Sequence, residues 1–315
     1  MKTALVTGAS GRIGRKVVPL LLEEGWNVRA AVHTTALPHE WEGSIETIRI
    51  EDVATPDLGA VDAIIHLAGI MPPVPDDQAF RTNIELTYRI LQAAAAVKKK
   101  PRVVFASSDA TYCTGWSLNG YSEPIREDET EQHPTVFYRL TKVIGERFCK
   151  YFQAICQVPC VVLRFVWTLD PPEILNLFTA TPYREFLIPE DSAKWSDTEI
   201  IAAPLEEDGT PFMEHICDTR DAAAAVLAAL TSVNASGHAI NIAGPAPFRY
   251  TEASTYLARL MNRNAVTGRC AGIHSYSVSL EKARHLLGFT PRYRLEDSLE
   301  EALKSLDAFV IPSNP

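Results

Sequence analysis

The chain has 315 residues, of which 46% are hydrophobic and 22% charged, as is typical of globular proteins and unlike disordered chains. Its net charge of −9 argues against the basic surface that binding to nucleic acid or to an anionic membrane requires. The N-terminus lacks the apolar stretch of a secretory signal, and no apolar run reaches the ~20 residues of a membrane span, so we expect a cytoplasmic protein.

The first half of the chain alternates short β-branched runs with longer helical patterns. In chain order the sequence predicts strand 3–7, helix 14–25, strands 27–32, 45–50 and 62–68, helix 78–99, strand 101–108, helix 135–153 and strand 159–165. Apolar strands that alternate with helices form a parallel sheet that is covered on both faces. We therefore predict an α/β fold of Rossmann type, with a doubly wound parallel sheet.

The pattern loosens in the second half of the chain. Residues 168–215 are rich in Pro, Glu and aromatic residues and have weak periodicity. The elements predicted after them are a helix at 218–232, a strand at 238–244, and helices at 251–262 and 295–306. We predict a nucleotide-binding domain at 1–167 and a smaller, interleaved substrate lobe at 168–315, with segments at about 216–245 returning to the first domain.

The glycine-rich stretch "TGASGRIG" joins the first strand to the first helix. Gly8 permits a sharp turn, Gly11 allows the backbone to approach a pyrophosphate, and Gly14 allows close packing of helix on strand. The helix N-terminus then offers free N–H groups to the phosphates. The stretch alone is also compatible with a purely structural turn.

Tyr138 and Lys142 lie four residues apart on a predicted helix, so both project from one face. A nearby ammonium, together with the positive charge of a nicotinamide ring, lowers the pKa of a tyrosine toward the range of a general acid/base. Taken alone, a Tyr–Lys pair at this spacing is also common on helix surfaces. About thirty residues upstream, Ser107 and Ser108 end a strand.

In this order and spacing, the T-G-x-x-G-x-x-G loop, the serine strand and Y-x-x-x-K resemble the extended short-chain dehydrogenase/reductase family. That family includes nucleotide-sugar epimerases and dehydratases and plant flavonoid reductases. The resemblance runs over nearly the whole chain and implies that Tyr138 is the general acid/base. It further implies that Lys142 lowers the Tyr138 pKa and binds the nicotinamide ribose, that Ser108 orients and polarises the reacting oxygen, and that Asn83 supports Lys142 through water.

The resemblance also implies a set of cofactor contacts. They are Gly8, Ser10, Gly11, Arg12, Ile13, Gly14, His33, Asp52, Leu67, Ala68, Gly69, Tyr138 and Lys142. Members that prefer NAD end the second strand with an acid, whereas this chain has Val32 there, followed by His33 where plant NADP-dependent reductases have a phosphate-binding arginine. With Arg12 as a further cation, we predict NADP rather than NAD. Asp52 is expected to approach the adenine edge or to be a solvated acid.

The substrate lobe departs from the nucleotide-sugar members of the family. Of the two arginines that hold the sugar diphosphate there, the first is replaced by Pro211 and the second falls on Arg269. Asp109 is followed by Ala110, so the Asp-Glu pair of the dehydratases is incomplete, and Asp109 is expected to support the loop or to contact substrate. A small polyol, sugar acid, aldehyde or ketone is therefore favoured over a nucleotide sugar.

The predicted function is transfer of a hydride between NAD(P)(H) and a carbonyl/alcohol pair of a small-molecule substrate. Two alternatives stay open: a nucleotide-sugar epimerase, and a non-catalytic sensor that binds NADP. The six cysteines show no paired spacing, so no metal site is predicted. The family resemblance also implies a homodimer, formed through the helix at 78–97 and the Tyr138 helix.

Overall fold

The computed structural model describes residues 1–33, 35–54, 61–112, 121–129, 136–196 and 200–309. The strands are β1 Thr3–Thr7, β2 Asn27–Val32, β3 Glu46–Arg49, β4 Ala63–His66, β5 Arg102–Ser108, β6 Cys160–Phe165, β7 Trp167–Leu169, β8 Ile201–Glu206, β9 Met213–Glu214, β10 Ile216–Asp218, β11 Ala239–Ile242, β12 Phe248–Arg249 and β13 Ala265–Cys270. The helices are α1 Gly14–Glu23, α2 Asp76–Ala79, α3 Leu86–Ala96, α4 Phe137–Cys156, α5 Pro171–Ile174, α6 Thr219–Thr231, α7 Tyr250–Met261, α8 Glu281–Leu287 and α9 Leu295–Phe309. Among these helices, none is long and apolar enough to cross a membrane.

Seven parallel strands form the central sheet, in the order β11-β6-β5-β4-β1-β2-β3. The chain leaves β1 toward β2 on one side and returns to β4 on the other, so the strand order reverses between β1 and β4. A crevice opens at such a reversal, at the carboxyl ends of the strands, and it is the usual ligand position in this architecture. The predicted doubly wound α/β fold is confirmed.

The central strands are buried on both faces, which explains their continuous apolar sequences. Successive residues of β1 point to opposite sides: Val6 packs in the cluster formed with α1 and α6, and Leu5 packs in the cluster formed with α3 and α4. This burial holds the carboxyl ends of β1, β4 and β5 in fixed relative positions. The residues that follow those ends therefore sit on a rigid base.

The helix predicted at 78–99 is divided into three parts. Between α2 and α3, residues Phe80–Glu85 form one π-helical stretch, and Asn83 lies within it. A π-turn of this kind often marks a functional position, because the widened turn changes the direction of its side chains. The hydrophobic periodicity predicted a helix here but did not predict the wider turn.

The second half has its own apolar cluster, which includes Phe178, Tyr183, Trp195, Phe212 and Tyr250. Here β8 pairs in parallel with β13 over six residues, a pairing that the sequence analysis did not predict. The sequence of β8 is "IAAPLE", which lacks alternation and contains a proline, and its partner lies more than sixty residues later. The terminal helix α9 and the edge strand β11 agree with the predicted elements.

Candidate functional site

A cleft of about 970 Å³ lies at the carboxyl ends of the central strands. It joins the glycine loop, the ends of β4 and β5, the start of α4 and several residues of the second half of the chain. The predicted site residues that line it are Gly8, Ser10, Gly11, Arg12, Ile13, Gly14, Leu67, Gly69, Ser108, Asp109, Tyr138 and Lys142. One continuous cavity therefore contains the glycine loop and the serine, tyrosine and lysine.

Two glycines of the loop are required by the protein's own backbone. Gly8 has φ of +71°, and a Cβ there would lie 2.8 Å from the Ala68 nitrogen. A Cβ on Gly14 would lie 2.2 Å from the Gly8 carbonyl oxygen, a distance that no rotamer change relieves. These contacts lock the first turn of α1 against β1 and β4.

Gly11 has a different environment. Its N–H donates to the Gly8 carbonyl at 3.0 Å, and a Cβ there would meet only that carbonyl oxygen, at 3.1 Å. Helix α1 begins three residues later without a side-chain cap and without an acid in its first turn. Uncapped N–H groups beside an open cradle fit an anionic pyrophosphate, so the residues present fit a dinucleotide.

Lys142 is buried beneath the cleft and is held by the sheet. Its Nζ donates to the Ala106 carbonyl at 2.8 Å and lies 5.6 Å from the centroid of the Tyr138 ring. Burial lowers the pKa of Lys142 to about 8, while the charge of Glu146, one turn along α4, opposes that shift. The ammonium therefore has a fixed position beside the tyrosine.

The Tyr138 hydroxyl lies near the side chain of Ser108, which acts on its pKa. Burial raises the pKa of Tyr138 to about 12, the Ser108 side chain lowers it, and the charge of Asp109 raises it. Lys142 is expected from the sequence to lower this pKa together with a nicotinamide ring. In the chain by itself, burial is the largest influence on this pKa, so the phenol holds its proton.

The two serines at the end of β5 point to different partners. Ser108 Oγ donates to Asp109 Oδ1 at 2.9 Å and accepts from the Ala110 N–H at 3.1 Å. Ser107 is buried, and its hydroxyl donates to Glu146 at 2.5 Å. Ser108 thus faces the cleft near Tyr138, whereas Ser107 is bonded to Glu146 on α4.

Asn83 and the turn after β4 form the wall next to Lys142. The Asn83 amide bonds both backbone groups of Ile70 at 2.9 Å and donates to Thr141 Oγ1 at 3.1 Å. A Cβ on Gly69 would lie 3.3 Å from Lys142 Nζ and 3.5 Å from Asn83 Oδ1, so this turn passes directly over both side chains. Asn83 thereby fixes the turn and the helix segment that carries Lys142.

Arg12 makes an ion pair that the sequence did not predict. Its guanidinium binds both oxygens of Glu173, at 2.6 and 2.8 Å, and Lys16 lies 3.4 Å from Asp170. Asp170 and Glu173 form the capping box of α5. The glycine loop and α5 are therefore connected across the cleft by charge.

Four predicted contact residues are not among the described residues that line the cleft: Ala68, whose N–H donates to Thr7 Oγ1 at 3.2 Å, and His33, Asp52 and Arg269. His33 is exposed at the end of β2, with Nε2 3.4 Å from Glu51, and Asp52 is exposed on the turn after β3. Arg269 lies on β13 and binds Asp191, its N–H at 2.9 Å and its Nε at 3.2 Å. Arg269 and Asp191 therefore bind one another, and neither is among the described residues that line the cleft.

Tyr276 and Glu214 are among the cleft residues that the sequence analysis missed. Tyr276 donates from the second half of the chain to Asp109 Oδ2 at 2.7 Å. Glu214, on β9, is 2% exposed and accepts from the Tyr250 hydroxyl at 2.6 Å. Burial raises the pKa of Glu214 to about 7, although the Tyr250 hydrogen bond opposes the shift. The only sequence signal was a glutamate inside the apolar stretch "PFMEHIC".

Comparison with known proteins identifies the family. Residues 4–243 match the NAD dependent epimerase/dehydratase family, so the chain belongs to it, and the resemblance to short-chain dehydrogenases/reductases is confirmed. A short-chain dehydrogenase/reductase superfamily protein from Agrobacterium tumefaciens, solved with bound NAD, superposes with a TM-score of 0.83 at 30% identity, covering 97% of each chain.

Two curated relatives act on sugar acids. Uronate dehydrogenase from Agrobacterium fabrum is 30% identical over 192 residues, which cover 59% of this chain and 69% of that protein. D-erythronate dehydrogenase from Cupriavidus necator is 28% identical over 161 residues, covering 45% of this chain and 48% of that protein. The alignment thus spans about half the length of the second relative.

Proposed function

We propose that the chain is an NAD(P)-dependent dehydrogenase/reductase that interconverts an alcohol and a carbonyl on a small sugar, sugar acid or related substrate. The observation that carries the proposal is that one cleft is lined by Ser108, Tyr138, Lys142 and the glycine loop, with Lys142 beside the tyrosine ring. In the oxidative direction, alcohol and NAD(P)⁺ give carbonyl, NAD(P)H and a proton.

Each residue has a defined task in this proposal. The bound dinucleotide supplies the nicotinamide that accepts or donates a hydride. Tyr138 takes the proton from the substrate hydroxyl and returns it to the carbonyl oxygen in reverse. Ser108 donates a hydrogen bond to that oxygen, and Lys142 stabilises the tyrosinate. Asn83 positions the segment that holds Lys142, through Thr141.

For the cofactor, we propose NADP in preference to NAD. The support is the absence of a carboxylate at Val32, the last residue of β2, where an acid would repel a 2′-phosphate. His33 follows it and is exposed. Arg12 lines the same cleft, although its guanidinium is bonded to Glu173.

We also propose that a homodimer forms through α3 and α4. Exposed aromatic and aliphatic side chains support this: Tyr88 is 41%, Tyr151 55% and Ile155 67% exposed. Tyr88 packs on Phe148 with ring centroids 5.5 Å apart, which makes one face of the two helices. An apolar face of this kind is buried when two copies associate.

The test is a screen for turnover of uronates, aldonates, aldoses, polyols and ketones with both dinucleotides, followed at 340 nm. Net reduction or oxidation of the dinucleotide by one of these compounds is the expected result. Conversion of a nucleotide sugar to its epimer without a net change at 340 nm would instead identify an epimerase. Tight dinucleotide binding with no turnover of any compound would favour a sensor.

A further inference from the structure

Two carboxylates line the part of the cleft next to Ser108 and Tyr138. Asp109 follows β5 immediately, and Glu214 comes from β9, a short strand of the second half of the chain. The two segments are about a hundred residues apart in sequence, and the fold brings both to the same cavity. Neither carboxylate has a task in the reaction described above.

Asp109 is held in place from both sides. Its Oδ1 accepts from Ser108 at 2.9 Å, and its Oδ2 accepts from Tyr276 at 2.7 Å. Because Ser108 is one of the groups proposed to hold the reacting oxygen, the Asp109 carboxylate lies one hydrogen bond away from that site. A substrate bound there has this carboxylate as a close neighbour.

Glu214 is buried, yet it lines the cleft. Tyr250 donates to one of its oxygens at 2.6 Å, and Tyr250 stacks on Phe212, with ring centroids 5.3 Å apart. The charge of Asp109 adds to the effect of burial in raising the Glu214 pKa, so the two carboxylates repel one another. Above about pH 7 the buried Glu214 is an ionised acceptor, and the half-buried Asp109 lines the same cleft.

Of the four cations among the described residues that line the cleft, three are bonded to groups of the chain itself, and the fourth, Arg139, is buried. Arg12 binds Glu173, Arg15 binds the Ser10 carbonyl, and Lys142 binds the Ala106 carbonyl. Arg139 follows Tyr138 on α4 and is 8% exposed. Asp109 and Glu214 therefore place hydrogen-bond acceptors on their side of the cleft, which favours substrates that donate hydrogen bonds.

We propose that Asp109 and Glu214 select a neutral polyhydroxylated substrate, an aldose or a polyol, over the analogue in which a carboxylate replaces one CH₂OH group. The inference rests on the proposed dehydrogenase function. Ionised carboxylates only accept hydrogen bonds, so they pair with the hydroxyl groups of a sugar. A substrate carboxylate brings a third negative charge beside them, and juxtaposed like charges discriminate strongly against such a ligand.

The experiment compares matched pairs of compounds at pH 8.5: D-galactose with D-galacturonate, D-glucose with D-glucuronate, and erythritol with D-erythronate. We expect kcat/KM for the neutral member of at least one pair to exceed that of its carboxylate by about tenfold or more. A preference for the carboxylate in every active pair overturns the inference but leaves the dehydrogenase function intact.

Glu214→Gln sharpens the comparison, because glutamine keeps an oxygen for Tyr250 and removes the charge. The ratio of neutral to carboxylate kcat/KM should fall about fivefold or more, chiefly through a lower KM for the carboxylate. Glu281→Gln, which makes the same change at an exposed side chain that pairs with Arg126, is the control and should leave the ratio unchanged. An unchanged ratio in Glu214→Gln overturns the assignment.

A binding measurement separates failure of the inference from failure of the proposed function. The melting temperature is followed with each member of the pairs in the presence of NADP⁺ or NAD⁺. If no compound is turned over, the proposed dehydrogenase function is wrong. A larger shift in melting temperature with the neutral members would still support selection of neutral compounds by Asp109 and Glu214. A larger shift with the carboxylates, or no shift with any neutral compound, overturns it.

Discussion

The two ends of the cleft are built in different ways. At the glycine-loop end, backbone meets backbone: a Cβ on Gly14 would lie 2.2 Å from the Gly8 carbonyl oxygen, and one on Gly8 would lie 2.8 Å from the Ala68 nitrogen. At the other end, side chains from distant segments meet, as where Tyr276 binds Asp109. Close backbone contacts require glycine at fixed positions, and the sequence shows that pattern directly. Contacts between side chains of distant segments leave almost no pattern in the sequence.

The largest effect on activity is expected for substitution of Tyr138, between the two ends of the cleft. Tyr138→Phe removes the hydroxyl that lies near Ser108, so kcat should fall by about 10²- to 10⁴-fold while the dinucleotide Kd changes little. Steady-state kinetics and fluorescence titration of the dinucleotide measure the two quantities. Tyr151→Phe, at a 55% exposed tyrosine of the same helix, is the control. Equal kcat in both variants would remove Tyr138 from the chemistry.

The steric account of the glycine-loop end is tested by two alanines. Gly14→Ala places its methyl group against two backbone oxygens, at 2.2 and 2.6 Å, so the free energy of unfolding should fall by about 3 kcal/mol or more. Gly11→Ala meets only one oxygen, at 3.1 Å, and should cost about 1 kcal/mol or less while weakening dinucleotide binding. Chemical denaturation and dinucleotide titration distinguish them. Similar losses of stability in both would contradict the account.

The end of the cleft that is formed by side chains is tested by the pH dependence of stability that protonation of Glu214 produces. Burial raises the pKa of Glu214 from 4.5 to about 7, so the folded chain binds this proton more tightly than the unfolded chain. The resulting stability is fully present below about pH 4.5 and is lost as the pH rises through about 7. Relative to Glu214→Gln, the native chain should lose up to about 3 kcal/mol between pH 4.5 and pH 8. Denaturation curves at both pH values give the difference, and a constant difference would show that the pKa of Glu214 is not raised in the fold.

The smallest expected effect is on cofactor preference, when the ion pair between Arg12 and Glu173 is broken. Glu173→Gln releases Arg12 from its bidentate partner, so the ratio of NADP to NAD affinity should rise by about tenfold or less. His33→Asp introduces an acid at the end of β2 and should shift the ratio toward NAD by a similar factor. Titration with each dinucleotide gives the Kd values. Unaltered ratios in both variants would mean that neither Arg12 nor His33 selects the cofactor.

Much of the glycine-loop end was predictable, because each of its features is encoded within a short stretch of sequence. Buried strands appear in the sequence as apolar runs. The positions of the glycine loop and of the Tyr138–Lys142 pair relative to those strands can therefore be inferred from the sequence. The π-turn around Asn83 was not predictable, since the Asn83 side chain bonds Ile70 and Thr141 from other segments, and local apolar periodicity does not report such contacts. The β8–β13 pair and the Glu173 partner of Arg12 depend on segments more than sixty residues apart, which local patterns do not connect.

The central claim is that this cleft transfers a hydride between a hydroxylated carbon and a dinucleotide, and isotope transfer tests it directly. A substrate found active in the 340 nm screen is prepared with deuterium on the carbon to be oxidised and incubated with the preferred dinucleotide, and the nucleotide is recovered for mass spectrometry and NMR. The account predicts one deuterium at C4 of the reduced nicotinamide. Recovery of the reduced nucleotide without deuterium, or of an epimerised compound beside unreduced nucleotide, would contradict it.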